Sequence, residues 1–325
     1  MGSLDRIPAI LGSRVELQLL TTLRCNLKCT YCSLGVGEVL GSQREVTYTL
    51  DQLDAFIATQ LAGHEIYITF YGGEAVTDGY RGRGIYRQVL KNIRAIRGRV
   101  GGTLTARVTW SNANTSFEEL DQLTQSFDYV YFQFVAQDGA YAPAAVAKKR
   151  AVIARLVERF FAGDALYPFI PIMGTVRNKV LPSRAQELYA GMTQCRTSTH
   201  ILNVMPDGKI YPCPDLLYLP EMLQGDVVAN WLKRSPLQPH PDMPCEHCGA
   251  FAFCRRNCMK NLHLAYVKRD HAYREKVVEP ICDLVRFMGE EVDRHDPHAW
   301  YARMPLAVRE TVAGCAVYEY VEVMP

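Results

Sequence analysis

The sequence predicts an α/β protein with a parallel sheet, followed by a small cysteine-rich domain. Three observations point there. Strand and helix patterns alternate from residue 15 to residue 192. Seven of the eleven cysteines then follow between Cys195 and Cys282. Three others, Cys25, Cys29 and Cys32, stand in the loop directly after the first predicted strand. Repeated βα units imply a sheet that is doubly wound or curled into a partial barrel. Either arrangement gathers its chemistry at the C-terminal ends of the strands. The expected organisation is an extension over 1–14, the α/β domain over 15–192, the cysteine-rich domain over 193–290 and a C-terminal extension over 291–325.

The elements follow in order. Val15–Thr22 reads as a strand. Thr49 caps a helix, with Gln52 completing a capping box and Leu50, Leu53, Phe56, Ile57 and Leu61 on one face. Glu65–Tyr71 is β-branched and aromatic, hence a strand. Ile85, Val89, Ile93 and Ile96 recur at helical spacing. Thr105–Ser111 is a strand, and Ser116 with Glu119 opens the next helix. Tyr129–Val135 is a strand, and Val146 to Phe161 a long helix. Tyr167–Thr175 is expected as a fifth strand and Ser183–Met192 as a short helix. Pro206-Asp207-Gly208-Lys209 is a hairpin turn. The prolines within Lys233–Pro244 mark an irregular connection, and Val317–Val323 alternates as an edge strand.

Composition narrows the function classes. Thirty-six basic against 34 acidic side chains leave a net charge of +2, which argues against a broad nucleic-acid-binding face. A 48% hydrophobic content excludes global disorder. The densest apolar stretch, Phe160 to Met173, is broken by Asp164, Pro168 and Pro171, so no membrane span is expected. No signal peptide is visible, and a cytoplasmic location is expected. An odd number of cysteines in a chain of this size argues for metal binding over a disulfide framework.

The motifs carry the chemistry. Cys25, Cys29 and Cys32 form CX3CX2C after the first strand. Three thiolates on one loop hold three corners of a [4Fe–4S] cubane and leave one iron open. A structural zinc loop with a distant fourth ligand is the alternative. The second strand ends in Tyr71-Gly72-Gly73-Glu74. Two glycines let backbone approach a ligand closely, and Glu74 offers a carboxylate to an amine.

With these two motifs on adjacent strands, the sequence resembles the radical S-adenosylmethionine (SAM) superfamily. The resemblance implies a partial (β/α) barrel of about five to six parallel strands. It implies that Cys25, Cys29 and Cys32 bind the cluster that chelates SAM. It places Glu74 on the methionine ammonium, with Gly72 and Gly73 beside it and Tyr31 near the adenine. Ser111, Asn112 and Asn114 occupy the position that usually touches ribose and carboxylate; an ordinary capped loop is the alternative. Asp138, after the fourth strand, matches a common position lining the site.

The later cysteines resemble the SPASM pattern, CX9–15GX4C–gap–CX2CX5CX3C–gap–C. Cys195, Gly208 and Cys213 match its first part, Cys245, Cys248, Cys254 and Cys258 its second, and Cys282 its last. The resemblance implies two auxiliary [4Fe–4S] clusters, three in all. Cys245, Cys248, Cys254 and Cys282 would hold the distal one. Cys195, Cys213 and Cys258 would hold the one nearer the active site. Its fourth ligand is open between Cys315, His200, an acidic side chain and the substrate. Zinc is the alternative for the CX2C pair.

Two further acid–base or radical candidates are Asp215, two residues after Cys213, and Cys315. Cys315 reads either as an inert apolar thiol or as a ligand or hydrogen-atom donor. Two departures from the family stand out. Only a short stretch separates the expected fifth strand from Cys195, leaving a sixth strand in doubt. The nearer cluster shows three thiolates instead of four. Enzymes with this resemblance mostly modify ribosomally made peptides, by cross-linking, epimerisation or backbone excision. A leader-bearing peptide is therefore the expected partner, with a flavodoxin- or ferredoxin-type reductant. Residues 1–14 leave no room for a fused recognition domain, so either a separate small recognition protein is expected or the enzyme recognises its substrate without one. Dehydrogenation or epimerisation of a small metabolite is the runner-up. An iron–sulfur electron carrier or sensor is the non-enzymatic alternative.

Overall fold

A computed structural model describes residues 14–22, 46–72, 91, 105–112, 116–136, 139, 141–181, 201–213, 216, 219–233, 243–254 and 258–315. The chain forms two compact units. One comprises residues 1–86, 189–239 and 322–325; the other comprises 87–188 and 240–321.

The first unit holds β1 (Arg14–Thr22), α1 (Leu50–Gln60) and β2 (Glu65–Gly72). Parallel pairing of β1 with β2 runs from Arg14↔Glu65 to Thr22↔Gly72. Helix α1 starts where its capping box requires. The Gln52 N–H donates to Thr49 Oγ1 at 3.2 Å, and the Thr49 N–H donates to Gln52 Oε1 at 2.8 Å. Leu53, Phe56 and Leu61 pack on Val15, Leu17 and Leu19 of β1.

The second unit supplies the next two strands. Strand β3 (Thr105–Trp110) leads to α2 (Phe117–Leu123), capped by Ser116. Strand β4 (Tyr129–Phe134) pairs with β3 in parallel, and α3 (Pro143–Phe161) follows.

The expected fifth strand is corrected. Residues Ile170–Val180 form a helix, α4, and only one parallel bridge, Val130↔Phe169, remains of strand character there. Pro168 and Pro171 lack the donors a strand ladder needs, whereas a proline is tolerated in a first helical turn. Helix α4 buries Ile172, Met173, Gly174, Thr175, Val176 and Asn178, so no amphipathic stripe marks it in the sequence.

A strand the sequence analysis did not assign lies after Cys195. In the first unit, β5 (Ile201–Val204) pairs in parallel with β1, from Glu16↔Ile201 to Leu19↔Val204. All four residues are buried, so no alternation announces it. The turn at Gly208, with φ +82°, then returns the chain as β6 (Lys209–Tyr211). Two short strands, β7 (Gly225–Asp226) and β8 (Trp231–Leu232), complete the sheet in the order β2-β1-β5-β6-β7-β8. This sheet crosses the expected division near residue 192, because β5 completes the parallel trio begun by β1 and β2.

The second unit continues with a 3-10 turn at Pro244–His247, α5 (Phe251–Cys254), α6 (Met259–Leu262) and α7 (His271–Tyr273). Helices α8 (Glu279–Arg294), α9 (Pro297–Arg303) and α10 (Leu306–Gly314) follow. Helix α8 packs on α3 and α4 through a face that includes Ile281, Leu284, Val285, Met288 and Val292. Among the described residues no helix is long and apolar enough to cross a membrane. The expected helix over 85–96, the helix over 183–192, the connection over 234–242 and the strand over 317–323 lie outside the described residues.

Candidate active site

In the first unit, the pairing Thr22↔Gly72 sets the C-terminal ends of β1 and β2 side by side. The cysteine loop and the Gly-Gly-Glu segment therefore leave from neighbouring strand ends. Gly72 is the last residue of β2. Cys25, Cys29, Tyr31, Cys32, Gly73 and Glu74 lie outside the described residues, as do Asn114, Asp138, Cys195 and Asp215. Cys213 follows β6, and the carbonyl before it, of Pro212, accepts from the fully buried Asn203 amide at 3.0 Å.

In the second unit, Ser111 and Asn112 follow β3, whose last residue Trp110 pairs with Phe134 at the end of β4. Asn112 is exposed there. Its Oδ1 accepts a hydrogen bond from Lys149 Nζ. Lys149 is fully buried on α3, and its ammonium lies 5.4 Å from the centre of the Tyr141 ring. Burial first, then repulsion from Lys148, lowers its pKa from the ordinary 10.5 to about 8. The sequence reading missed Lys149. Its signal was a lysine in the apolar stripe, with Val152, Ile153 and Leu156 three, four and seven residues on.

The cysteines of this unit gather from distant segments. Cys245 sits in the 3-10 turn Pro244–His247, and Cys248 follows it, with its N–H donating to the Cys245 carbonyl at 3.1 Å. Cys254 ends α5, and Cys282 opens α8. Burial first, then the neighbouring Cys254, Cys245 and Cys248, push the Cys282 thiol up to about 12, against the opposing Arg286. Tyr266 also senses Cys282 and Cys245. A bound metal centre would have to draw the proton off Cys282. Among the described residues no three His, Cys, Asp or Glu side chains close on a single ion. A cubane asks for something looser, since each of its four irons takes its own thiolate. Four cysteines are a donor set that both an iron–sulfur cluster and tetrahedral zinc use. Cys258 precedes α6 with φ +64° and ψ 90°, a conformation rarely adopted away from functional positions.

Cys315 follows α10, where it raises the pKa of Tyr129 after burial has done so. Tyr129 is the first residue of β4, at the end of the strand away from Phe134. Five residue steps, roughly 17 Å, separate the two ends.

No protein-family model and no curated protein matches the chain in sequence. Solved structures do show likeness. One is anSMEcpe with bound AdoMet, at 14% identity over 88% of this chain and 100% of that one, with a TM-score of 0.45. A second is anSMEcpe with bound AdoMet and Kp18Cys peptide, at 14% identity over 84% and 99%, with a TM-score of 0.49. A third is Streptococcus suis SuiB bound to precursor peptide SuiA, at 14% identity over 78% and 73%, with a TM-score of 0.48.

Proposed function

We propose that this chain is a radical SAM enzyme that modifies a peptide, built as a partial barrel with a SPASM-type cysteine-rich domain. The observation that carries the reading is the gathering of Cys245, Cys248, Cys254 and Cys282 from three separate segments. Those four are the thiols that the sequence pattern groups on one auxiliary cluster. Cys195, Cys213 and Cys258 are assigned to the second auxiliary cluster by the same pattern. Cys25, Cys29 and Cys32 are assigned to the SAM-binding cluster. AdoMet and a peptide, the ligands of the similar solved chains, are the ligands proposed here.

When bound and reduced, the SAM-binding cluster supplies the electron that splits SAM into methionine and a 5′-deoxyadenosyl radical, which takes hydrogen from the substrate. The chain's own residues bind and orient. By the resemblance, Glu74 would hold the methionine ammonium, Gly72 and Gly73 would admit it to the backbone, Tyr31 would lie near the adenine, and Ser111, Asn112 and Asn114 would hold the polar part of SAM. Lys149 keeps the Asn112 amide oxygen turned towards itself and leaves the amide N–H pair free to face a ligand. Asp138 and Asp215 are retained as acid–base candidates. Cys315 is retained as a ligand or hydrogen-atom-donor candidate.

The test is anaerobic turnover with SAM, a low-potential reductant and deuterated peptides encoded beside the gene. The expected result is 5′-deoxyadenosine that increases with peptide and carries its deuterium. Turnover of a free small metabolite, with no peptide effect on SAM cleavage, would contradict the peptide assignment.

A further inference from the structure

The ends of β3 and β4 are tied together through the backbone, where the Val135 N–H donates to the Trp110 carbonyl at 3.2 Å. Tyr141, itself buried, donates its hydroxyl to the Val135 carbonyl. The Tyr141 ring then lies 5.4 Å from the Lys149 ammonium, and that ammonium donates to Asn112 Oδ1. Asn112, two residues beyond Trp110, is the exposed end of this run of contacts. Among the described residues its amide nitrogen has no partner.

The chemistry of the two groups fixes the amide. The two ends of an exposed asparagine amide both hydrogen-bond to water, so either end can face outward. An ammonium has three N–H donors and no acceptor, so it bonds only the amide oxygen. Lys149 is fully buried on α3 beside Val152 and Ile153, which holds the ammonium in one place. Asn112 is left facing outward with two N–H donors and no acceptor. The cation behind it strengthens those donors towards an oxygen.

We propose that Tyr141 and Lys149 form a lock that makes Asn112 an obligate hydrogen-bond donor at the end of β3, so that this position takes a ligand oxygen and turns away a ligand N–H. Lys149 is a positioning residue, since it acts through Asn112, and Asn112 is the residue that selects. The proposal deepens the functional reading above and rests on it: the oxygen selected is one of SAM's, and outward N–H donors fit the oxygens of its polar part.

The experiment measures SAM affinity by equilibrium dialysis on the anaerobically reconstituted full-length chain without reductant, so that binding is read apart from turnover. Asn112→Ala should weaken binding about tenfold, the usual effect of losing one hydrogen bond. Asn112→Asp keeps the contact with Lys149 but turns only acceptors outward, so it should bind no better than Asn112→Ala. Lys149→Met should weaken binding about twofold or more, because a freed amide spends half its time reversed. Adding Lys149→Met to Asn112→Ala should cost nothing further. A purely structural lysine would instead add its loss to that of Asn112→Ala. Additive losses, an unchanged affinity in Lys149→Met, or an affinity in Asn112→Asp above that of Asn112→Ala overturns the proposal. If the Lys149→Met chains do not fold, Asn112→Asp decides alone on the same comparison. If the parent chain binds no SAM, the functional reading falls, and this inference falls with it.

Discussion

Single side chains separate the steps of the proposed reaction. Cys29→Ala should abolish 5′-deoxyadenosine formation, because three thiolates on one loop act as a unit and losing one approaches losing all. Auxiliary iron should survive in that variant, and chromatography of the nucleoside product with an iron assay checks both. Glu74→Ala should weaken SAM binding, since a charge-assisted hydrogen bond to an ammonium is lost. Cys213→Ala should uncouple the enzyme, still cleaving SAM but giving no modified product, because the substrate radical loses its electron acceptor. Full product from that variant would remove the electron-transfer role. Lys149 yields a pH prediction. Its folded pKa is depressed to about 8 from 10.5. The charged form is therefore disfavoured in the native state, and stability rises as pH climbs from about 8 towards 10.5. The melting temperature of the wild type relative to Lys149→Met should increase between pH 7.5 and pH 9.5. A constant difference would show that the buried amine does not titrate in that window.

Elements explain what could be read in advance and what could not. Helix α1 was legible because Thr49 and Gln52 cap it through their own side chains, a signal confined to four residues. The hairpin at Gly208 was legible for the same local reason. Strand β5 and helix α4 were not. Both are buried on nearly every side, and a uniformly apolar segment carries no period to separate strand from helix. Tyr167–Thr175 looked like a strand from its aromatic and β-branched content, and only the spacing of Pro168 and Pro171 argued otherwise. Among site residues, the cysteine spacing was legible and its partners were not. Lys149 matters through Asn112, which is remote in sequence. The hairpin also supports a stability prediction. Gly208 has φ +82°, and a Cβ there would lie 3.2 Å from Val228 Cγ2 and 3.6 Å from Tyr48 Cδ1. Gly208→Ala should cost about 1–2 kcal/mol from the left-handed backbone alone. Denaturant unfolding checks this, and an unchanged midpoint would refute it.

At the scale of the whole chain, each compact unit carries its own candidate residues. One presents adjacent strand ends bearing the cysteine loop and the Gly-Gly-Glu segment. The other presents Asn112 with Lys149, and the four gathered thiols. The claim on which the functional reading rests is that those four thiols hold an iron–sulfur cluster. The most direct test is metal analysis with Mössbauer spectroscopy of the anaerobically reconstituted chain, alongside its Cys25, Cys29, Cys32 triple-alanine variant. Three cubanes predict about twelve irons in the wild type and about eight in the variant, all with cubane parameters. Tightly bound zinc, with about four irons in the wild type and none in the variant, would contradict the account.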